Sequence, residues 1–246
     1  MNPDERPSGG PEGLWGAVLL LVALVCPTAA GAQTGDYALD NTRWNGLSRL
    51  VRSFQGRNIG VESADRIDYG SLTADDTLVL VYPQQSLDVA SLADFVVDGG
   101  RILLADDFGQ SGGLLERLDI ERNIGGELPH TEFVGGKPDL PVFRPSGVHP
   151  LLEGVDRIVG NHPAVLRHRG GPVIAYEEGQ AGLVYDMNLG DGKVIVFGDA
   201  SLLINHMIGL ADNRRLVENA LGYLCSGRSS CKPKLLVGAF EQAGSY

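Results

Sequence analysis

Three groups of oxygen-bearing side chains stand at places in this sequence where chemistry is commonly done. Gln84 and Gln85 follow the apolar run Thr77 to Tyr82, Asp106 and Asp107 follow Arg101 to Ala105, and Asp199 and Ser201 follow Lys193 to Phe197. If these runs are strands of one sheet, their carboxyl ends share an edge, which is where open α/β sheets hold their ligands. Two carboxylates at a helix start act as a general base or cation ligand, or they cap the helix and answer its dipole. Both roles are open to Asp106 and Asp107 within ILLADDFGQSGGLLERL, and to Asp199. As a nucleophile Ser201 needs a base within reach, and only His206 lies near it along the chain. Asn205 and Asn213 either bind a polar ligand or cap backbone groups at helix ends. The candidate ligand-binding set is therefore Gln84, Asp106, Asp107, Asp199, Ser201, Asn205 and Asn213. No residue receives a catalytic role, and neither a cofactor nor a metal is expected. His130, His149, His162 and His168 fall in one stretch, but no pair has the i, i+4 helical spacing of metal ligands, and two of them precede Pro.

The elements that must position these groups are legible as hydrophobic periodicity. Trp44, Leu47, Leu50, Val51 and Phe54 recur at helical steps, with Asn41 or Thr42 as N-cap and Gly56 past the end. Asn58 to Val61 is a short strand candidate, Thr77 to Tyr82 a strand buried on both faces, and Ser86 to Asp98 an amphipathic helix stopped by Gly99-Gly100. Arg101 to Ala105 is the next buried strand. From about 120 to 171 the pattern weakens into a Gly- and Pro-containing insertion. Val173 to Tyr176, Gly182 to Leu189 and Lys193 to Phe197 follow as a β-meander, with Glu178-Gly179 and Asp191-Gly192 as turn dipeptides. Two helices, about Leu202 to Leu210 and Asn213 to Leu224, complete the pattern. The expected class is α/β: a mostly parallel open sheet flanked by helices, flavodoxin-like in layout.

With 20 Lys and Arg against 31 Asp and Glu among 246 residues, the net charge of -11 repels phosphate backbones, so no nucleic-acid partner is expected. Leu14 to Cys26 is a continuous apolar run, and Ala30-Gly31-Ala32 is a small-residue cleavage site, so residues 1–32 read as a secretory signal peptide. Asp4, Glu5 and Glu12 against Arg6 give this segment a negative start, and the alternative is a retained anchor that associates with a membrane through residues 14–32. The organisation is then a leader over 1–32, a single α/β domain over 33–225 and a C-terminal tail over 226–246. Localisation is exported, periplasmic or extracellular. Outside the cytoplasm Cys225 and Cys231 can pair, closing a short loop that contributes about 2 kcal/mol.

Phe197-Gly198-Asp199-Ala200-Ser201-Leu202-Leu203-Ile204-Asn205, continuing to Asp212-Asn213, resembles the C-terminal signature of the bacterial domain of unknown function 4350 family, and Asp40 to Leu118 resembles its N-terminal half. That resemblance implies an open α/β domain similar to class I glutamine amidotransferases and to auxiliary domains of transporters in the cell envelope. Amidotransferases attack with a cysteine at the strand-to-helix elbow, helped by a histidine after a late strand. Here the elbow holds Asp106 and Asp107, and Asp199 follows the late strand. The expectation is a non-catalytic binding or scaffolding domain for a polar small molecule or an envelope protein. The alternative is a hydrolase in which Asp107 or Asp199 activates water, with or without a divalent cation.

Overall fold

The computed structural model describes residues 35–243, apart from 56–58, 126, 178–179, 229 and 239–240. The expected leader, Gly56, Asn58 and the Glu178-Gly179 turn lie outside the described residues. Thirteen strands are described: β1 (Glu62–Ser63), β2 (Arg66–Asp68), β3 (Thr77–Val81), β4 (Arg101–Ala105), β5 (Glu121–Asn123), β6 (Val142–Phe143) and β7 (Ile158–Val159). β8 (Val165–Arg167), β9 (Ile174–Ala175), β10 (Ala181–Leu189), β11 (Gly192–Phe197), β12 (Lys234–Val237) and β13 (Glu241–Ala243) follow. The α-helices are α1 (Ser48–Gln55), α2 (Val89–Val97), α3 (Gly112–Arg117) and α4 (Asn213–Cys225).

The apolar runs dictate the centre. β3 is buried along its whole length, and alternate residues feed two cores: Val79, Val81, Leu103, Ala105, Ile195 and Phe197 on the face covered by α1 and α4, and Leu78, Leu80, Ile102, Leu104, Val194 and Val196 on the face covered by α2 and α3. Strands walled on both sides are continuous apolar runs for this reason. The main sheet runs β1-β12-β3-β4-β11-β10-β8-β5, with β9 added on β10.

The sheet is mixed, not mostly parallel. β1, β12, β3, β4 and β11 pair in parallel, whereas β10 is antiparallel to β11, β8 and β9, and β5 is antiparallel to β8. The reason lies in connection length: β10 reaches β11 through Gly190 and Asp191 alone, and so tight a return makes only antiparallel neighbours. Gly190 has φ 59°, and a Cβ there would stand 2.4 Å from the Val97 carbonyl oxygen.

Four expectations change. The insertion over 120–171 supplies β5 and β8 to the main sheet, together with the small β6–β7 pair; its strands of two or three residues are too short to show a period. The tail over 226–246 provides β12, which fills the gap between β1 and β3, with Leu235 and Leu236 fully buried. Helix α1 begins at Ser48 instead of near Asn41, because Asn41 Oδ1 accepts from Arg43 N at 2.9 Å and turns the chain locally, leaving Trp44 66% exposed. The stretch 202–210 forms two short 3₁₀ turns, Ala200–Leu203 and Met207–Gly209, around Asn205. Cys225 and Cys231 are joined by a disulfide that ties the end of α4 to the approach to β12. Among the described residues no helix is long and apolar enough to cross a membrane.

Candidate functional site

The carboxyl ends of β3, β4 and β11 lie side by side. Backbone bonds extend the register past the strands, Tyr82 N to Ala105 O at 2.9 Å and Asp106 N to Phe197 O at 3.0 Å, so Asp106–Asp107 and Asp199 come to one edge. Tyr82 leaves β3 with φ 50°, a conformation costly for a non-glycine residue. Beyond Pro83, Gln84 donates its backbone N–H to Gly238 O at 2.9 Å, beside the end of β12, and its side chain is exposed.

Most of the polar atoms at this edge serve the chain's own backbone. Asp106 is buried and accepts from Gly109 N at 2.7 Å, Ser111 N at 3.2 Å, the Ser111 hydroxyl and Arg122 Nη1 at 2.6 Å. Arg122 also donates to Gly109 O at 2.8 Å. Gly109 is required at this turn: a Cβ there would stand 2.5 Å from Asp106 Oδ1 and 2.6 Å from Pro83 O. Asp199, fully buried, caps the turn Ala200–Leu203 by accepting from Ser201 N at 2.9 Å and from the Ser201 hydroxyl, and its other oxygen accepts from Asn161 N at 2.7 Å. Ser201 Oγ is further engaged by Asn161 Nδ2 at 3.2 Å, and no described hydrogen bond joins it to His206.

The two asparagines are clamps. Asn205 donates to Asn41 O at 2.8 Å and Arg43 O at 2.6 Å and accepts from Arg49 N at 2.7 Å, binding the segment before α1 to the strand-end turn. Asn213 accepts from Val159 N and donates to Val159 O and Met207 O, each at 2.9 Å. Asp107 differs. Its Oδ1 accepts from Phe108 N at 2.8 Å, its own backbone N–H is the other internal donor, and among the described residues no other side chain hydrogen-bonds to it. Sequence reasoning missed Tyr37, which has φ 62°, stacks on Tyr82 with ring centres 5.6 Å apart and lies within electrostatic reach of Asp107 and Asp199. No periodicity or motif around Gly35-Asp36-Tyr37 marks it. Burial, followed by these two carboxylates, pushes its phenol upward. Cavities of about 390 Å³ beside Tyr37 and about 320 Å³ beside Phe108 and His162 flank the edge.

The four histidines have separate partners. Nε2 of His149 faces Asp186 at 3.3 Å, Nδ1 of His162 faces Asp139 at 3.5 Å, His168 accepts from Gly170 N, and His130 packs among aromatic rings. Among the described residues no three His, Cys, Asp or Glu are grouped to hold a metal ion.

Burial raises Asp107 to about 6 and Asp199 to about 7, with the neighbouring acids Asp106 and Asp107, respectively, adding to the rise. A carboxyl raised on folding binds its proton more tightly in the folded chain, so this contribution is full below about pH 4 and is lost as pH climbs through 6 and 7. Asp107→Asn keeps the acceptor for Phe108 N and removes the ionisation. At pH 8 it is expected to gain about 2 kcal/mol, several degrees in Tm, while the gain near pH 4 is close to nil. An equal change at both pH values in a melting series would show that Asp107 does not titrate in this way.

A mixed sheet of many strands flanked by few helices, with a polar edge at its parallel strand ends, defines this as an α/β domain. The chain belongs to the family described as "Domain of unknown function (DUF4350)", whose family model matches residues 40–221. No curated protein matches it. Among solved structures it is similar to the mmIFT52 N-terminal domain, with a TM-score of 0.60 and 16% identity over 78% of this chain and 96% of that one; at that identity the likeness concerns the fold alone. It is also similar, with a TM-score of 0.47 and 13% identity, to the exo-beta-1,4-mannosidase Op5Man5 from Opitutaceae bacterium strain TAV5, over 77% of this chain and 34% of that one. A beta-galactosidase from Bacillus circulans sp. alkalophilus gives a TM-score of 0.44 and 11% identity over 63% and 23%. These comparisons do not support the amidotransferase-like similarity implied by the sequence resemblance.

Proposed function

We propose that this chain is a non-catalytic binding or scaffolding domain of the cell envelope, holding a polar small molecule or a partner protein against its strand-end edge. In this reading the layout is amidotransferase-like with the nucleophile replaced by Asp106 and Asp107. The observation that carries it is the division of labour at the edge: Asp106, Asp199, Ser201, Asn205 and Asn213 are committed to bonds with distant backbone or side-chain groups, while Asp107, within electrostatic reach of Tyr37, is bonded only by its own and the next backbone N–H among the described residues. Asp107 then accepts from the ligand's hydroxyl or amine, and Gln84 offers an exposed amide nearby. A disulfide between Cys225 and Cys231 supports an oxidising compartment, with residues 1–32 removed as a leader or retained as an anchor.

The test is a thermal-shift screen of the intact chain against divalent cations, mono- and oligosaccharides and nucleotides. A ligand at about a hundred times its Kd adds roughly 2.7 kcal/mol, several degrees for a domain of this size. That shift is expected to vanish in Asp107→Ala. A shift that survives in Asp107→Ala would remove the strand-end edge as the site, and an exported protein found to start at Met1 would remove cleavage at Gln33.

A second reading is favoured by the raised carboxyls. Asp107 near 6 ionises where a general base is useful, so Asp107 would activate water in a hydrolase, with or without a divalent cation. Turnover abolished by Asp107→Asn and rising through pH 6 is the signature of that reading.

A further inference from the structure

The outer strands of the sheet carry a second place built for a ligand, which uses none of the seven strand-end candidates. A cavity of about 520 Å³, within the range of small-molecule sites, lies against the antiparallel pair β5–β8. Asn123 and Val165 stand opposite each other in that pair, and Arg167 is two residues along on the same face, so three walls of the cavity sit on rigid strands. Glu127, His130 and Glu177 line the rest.

His130 is the informative residue. Its side chain is only 6% exposed, and its ring is fixed by stacking on Phe143 at 4.8 Å and by edge contacts with Phe133 and Tyr176. Nε2 lies 2.7 Å from Val142 O. A carbonyl oxygen only accepts, so Nε2 carries a proton, which leaves Nδ1 as the ring's second polar atom. That Nδ1 is buried and has no hydrogen-bond partner, an uncommon condition for a buried polar atom. Its nearest charged neighbour is the carboxylate of Glu177, with Oε1 3.8 Å away and held in place by Thr131 N at 3.1 Å and the Thr131 hydroxyl. At 3.8 Å the two make no hydrogen bond to each other, and a hydroxyl placed against both can bond to each of them, since it donates and accepts alike.

We propose that this cavity binds a neutral polyhydroxylated ligand, a sugar ring in chemical class. Each hydroxyl both donates and accepts, which matches a wall where the carboxylates of Glu127 and Glu177 accept, Arg167 and the Asn123 amide donate, and Nδ1 of His130 stands without a partner. Two carboxylates against one guanidinium disfavour a phosphate, and Val165 offers an apolar patch to the C–H face of a sugar.

The experiment is saturation-transfer NMR and calorimetry on the intact chain with glucose, galactose and mannose, using methylammonium and inorganic phosphate as contrasts. At least one hexose binds with a millimolar Kd, and Glu177→Gln and His130→Phe each weaken it about tenfold, the scale of one hydrogen bond. Glu177 is 44% exposed, so its variant keeps the parental Tm, and Asp107→Ala leaves hexose binding unchanged. The proposal falls if no hexose shows saturation transfer, if both cavity variants bind as tightly as the parent, or if methylammonium or phosphate binds and the hexoses do not. Because Asp107→Ala reports on the strand-end edge and Glu177→Gln on this cavity, failure of one reading is distinct from failure of the other.

Discussion

Asp106→Ala lowers the unfolding free energy of this chain by about 3–5 kcal/mol, a large part of the 5–15 kcal/mol that a folded domain typically holds. The carboxylate is buried and takes four donors, and its removal leaves Arg122, with a side chain 11% exposed, as a charge without its counterion. The β4–α3 turn loses its organising acceptor in the same change, since Gly109 N and Ser111 N both point at Asp106. Urea denaturation is the measurement. The double variant Asp106→Ala with Arg122→Leu is expected to recover part of the loss, because most of the penalty belongs to the stranded guanidinium. A loss below about 1 kcal/mol in the single variant would mean that the pair is not formed in the folded chain.

Asn205→Leu is expected to cost about 3 kcal/mol, and to do so unevenly across the molecule. Three backbone groups lose their partner, Arg49 N, Asn41 O and Arg43 O, at roughly 1 kcal/mol or more each where water does not replace the side chain. Those groups hold the segment that carries Tyr37 over the strand ends, so the amides of Leu47 and Arg49 exchange faster with solvent than the global stability loss accounts for. Asn205→Asp keeps the acceptor for Arg49 N but turns an oxygen toward the Asn41 and Arg43 carbonyls in a buried site, and so costs at least as much as leucine at neutral pH. Exchange at Leu47 and Arg49 that merely tracks global unfolding would show that Asn205 does not clamp this segment separately.

The parts of the fold that follow from burial were legible in the sequence. β3, β4, β10 and β11 are apolar runs, α2 and α4 are amphipathic with Asp88 capping the former, and the acids that follow β4 and β11 could be placed on one edge from spacing alone. What could not be read depends on partners far along the chain. β5, β8 and β12 have three or four residues and become strands only because a neighbour's edge accepts them. Asn205 and Asn213 have local spacing compatible with a cap or with a ligand, and they bind Arg49 N and Val159 N, 156 and 54 residues away, beyond any periodic signal. Tyr37 and the free Nδ1 of His130 are hidden for the same reason, since electrostatic neighbours and an unmet hydrogen bond exist only in three dimensions.

The position of β12 governs the order in which this protein can be made. It is synthesised last among the strands of the main sheet and yet lies between β1 and β3, so β3 faces solvent with one unpaired apolar edge until Lys234–Val237 has emerged from the ribosome. At ordinary elongation rates that interval is on the order of ten seconds, long compared with the microseconds in which apolar segments collapse. Until then the chain collapses without one of its central strand pairings, a state open to edge-to-edge aggregation. Any product ending before Lys234 keeps a sticky core strand exposed for good.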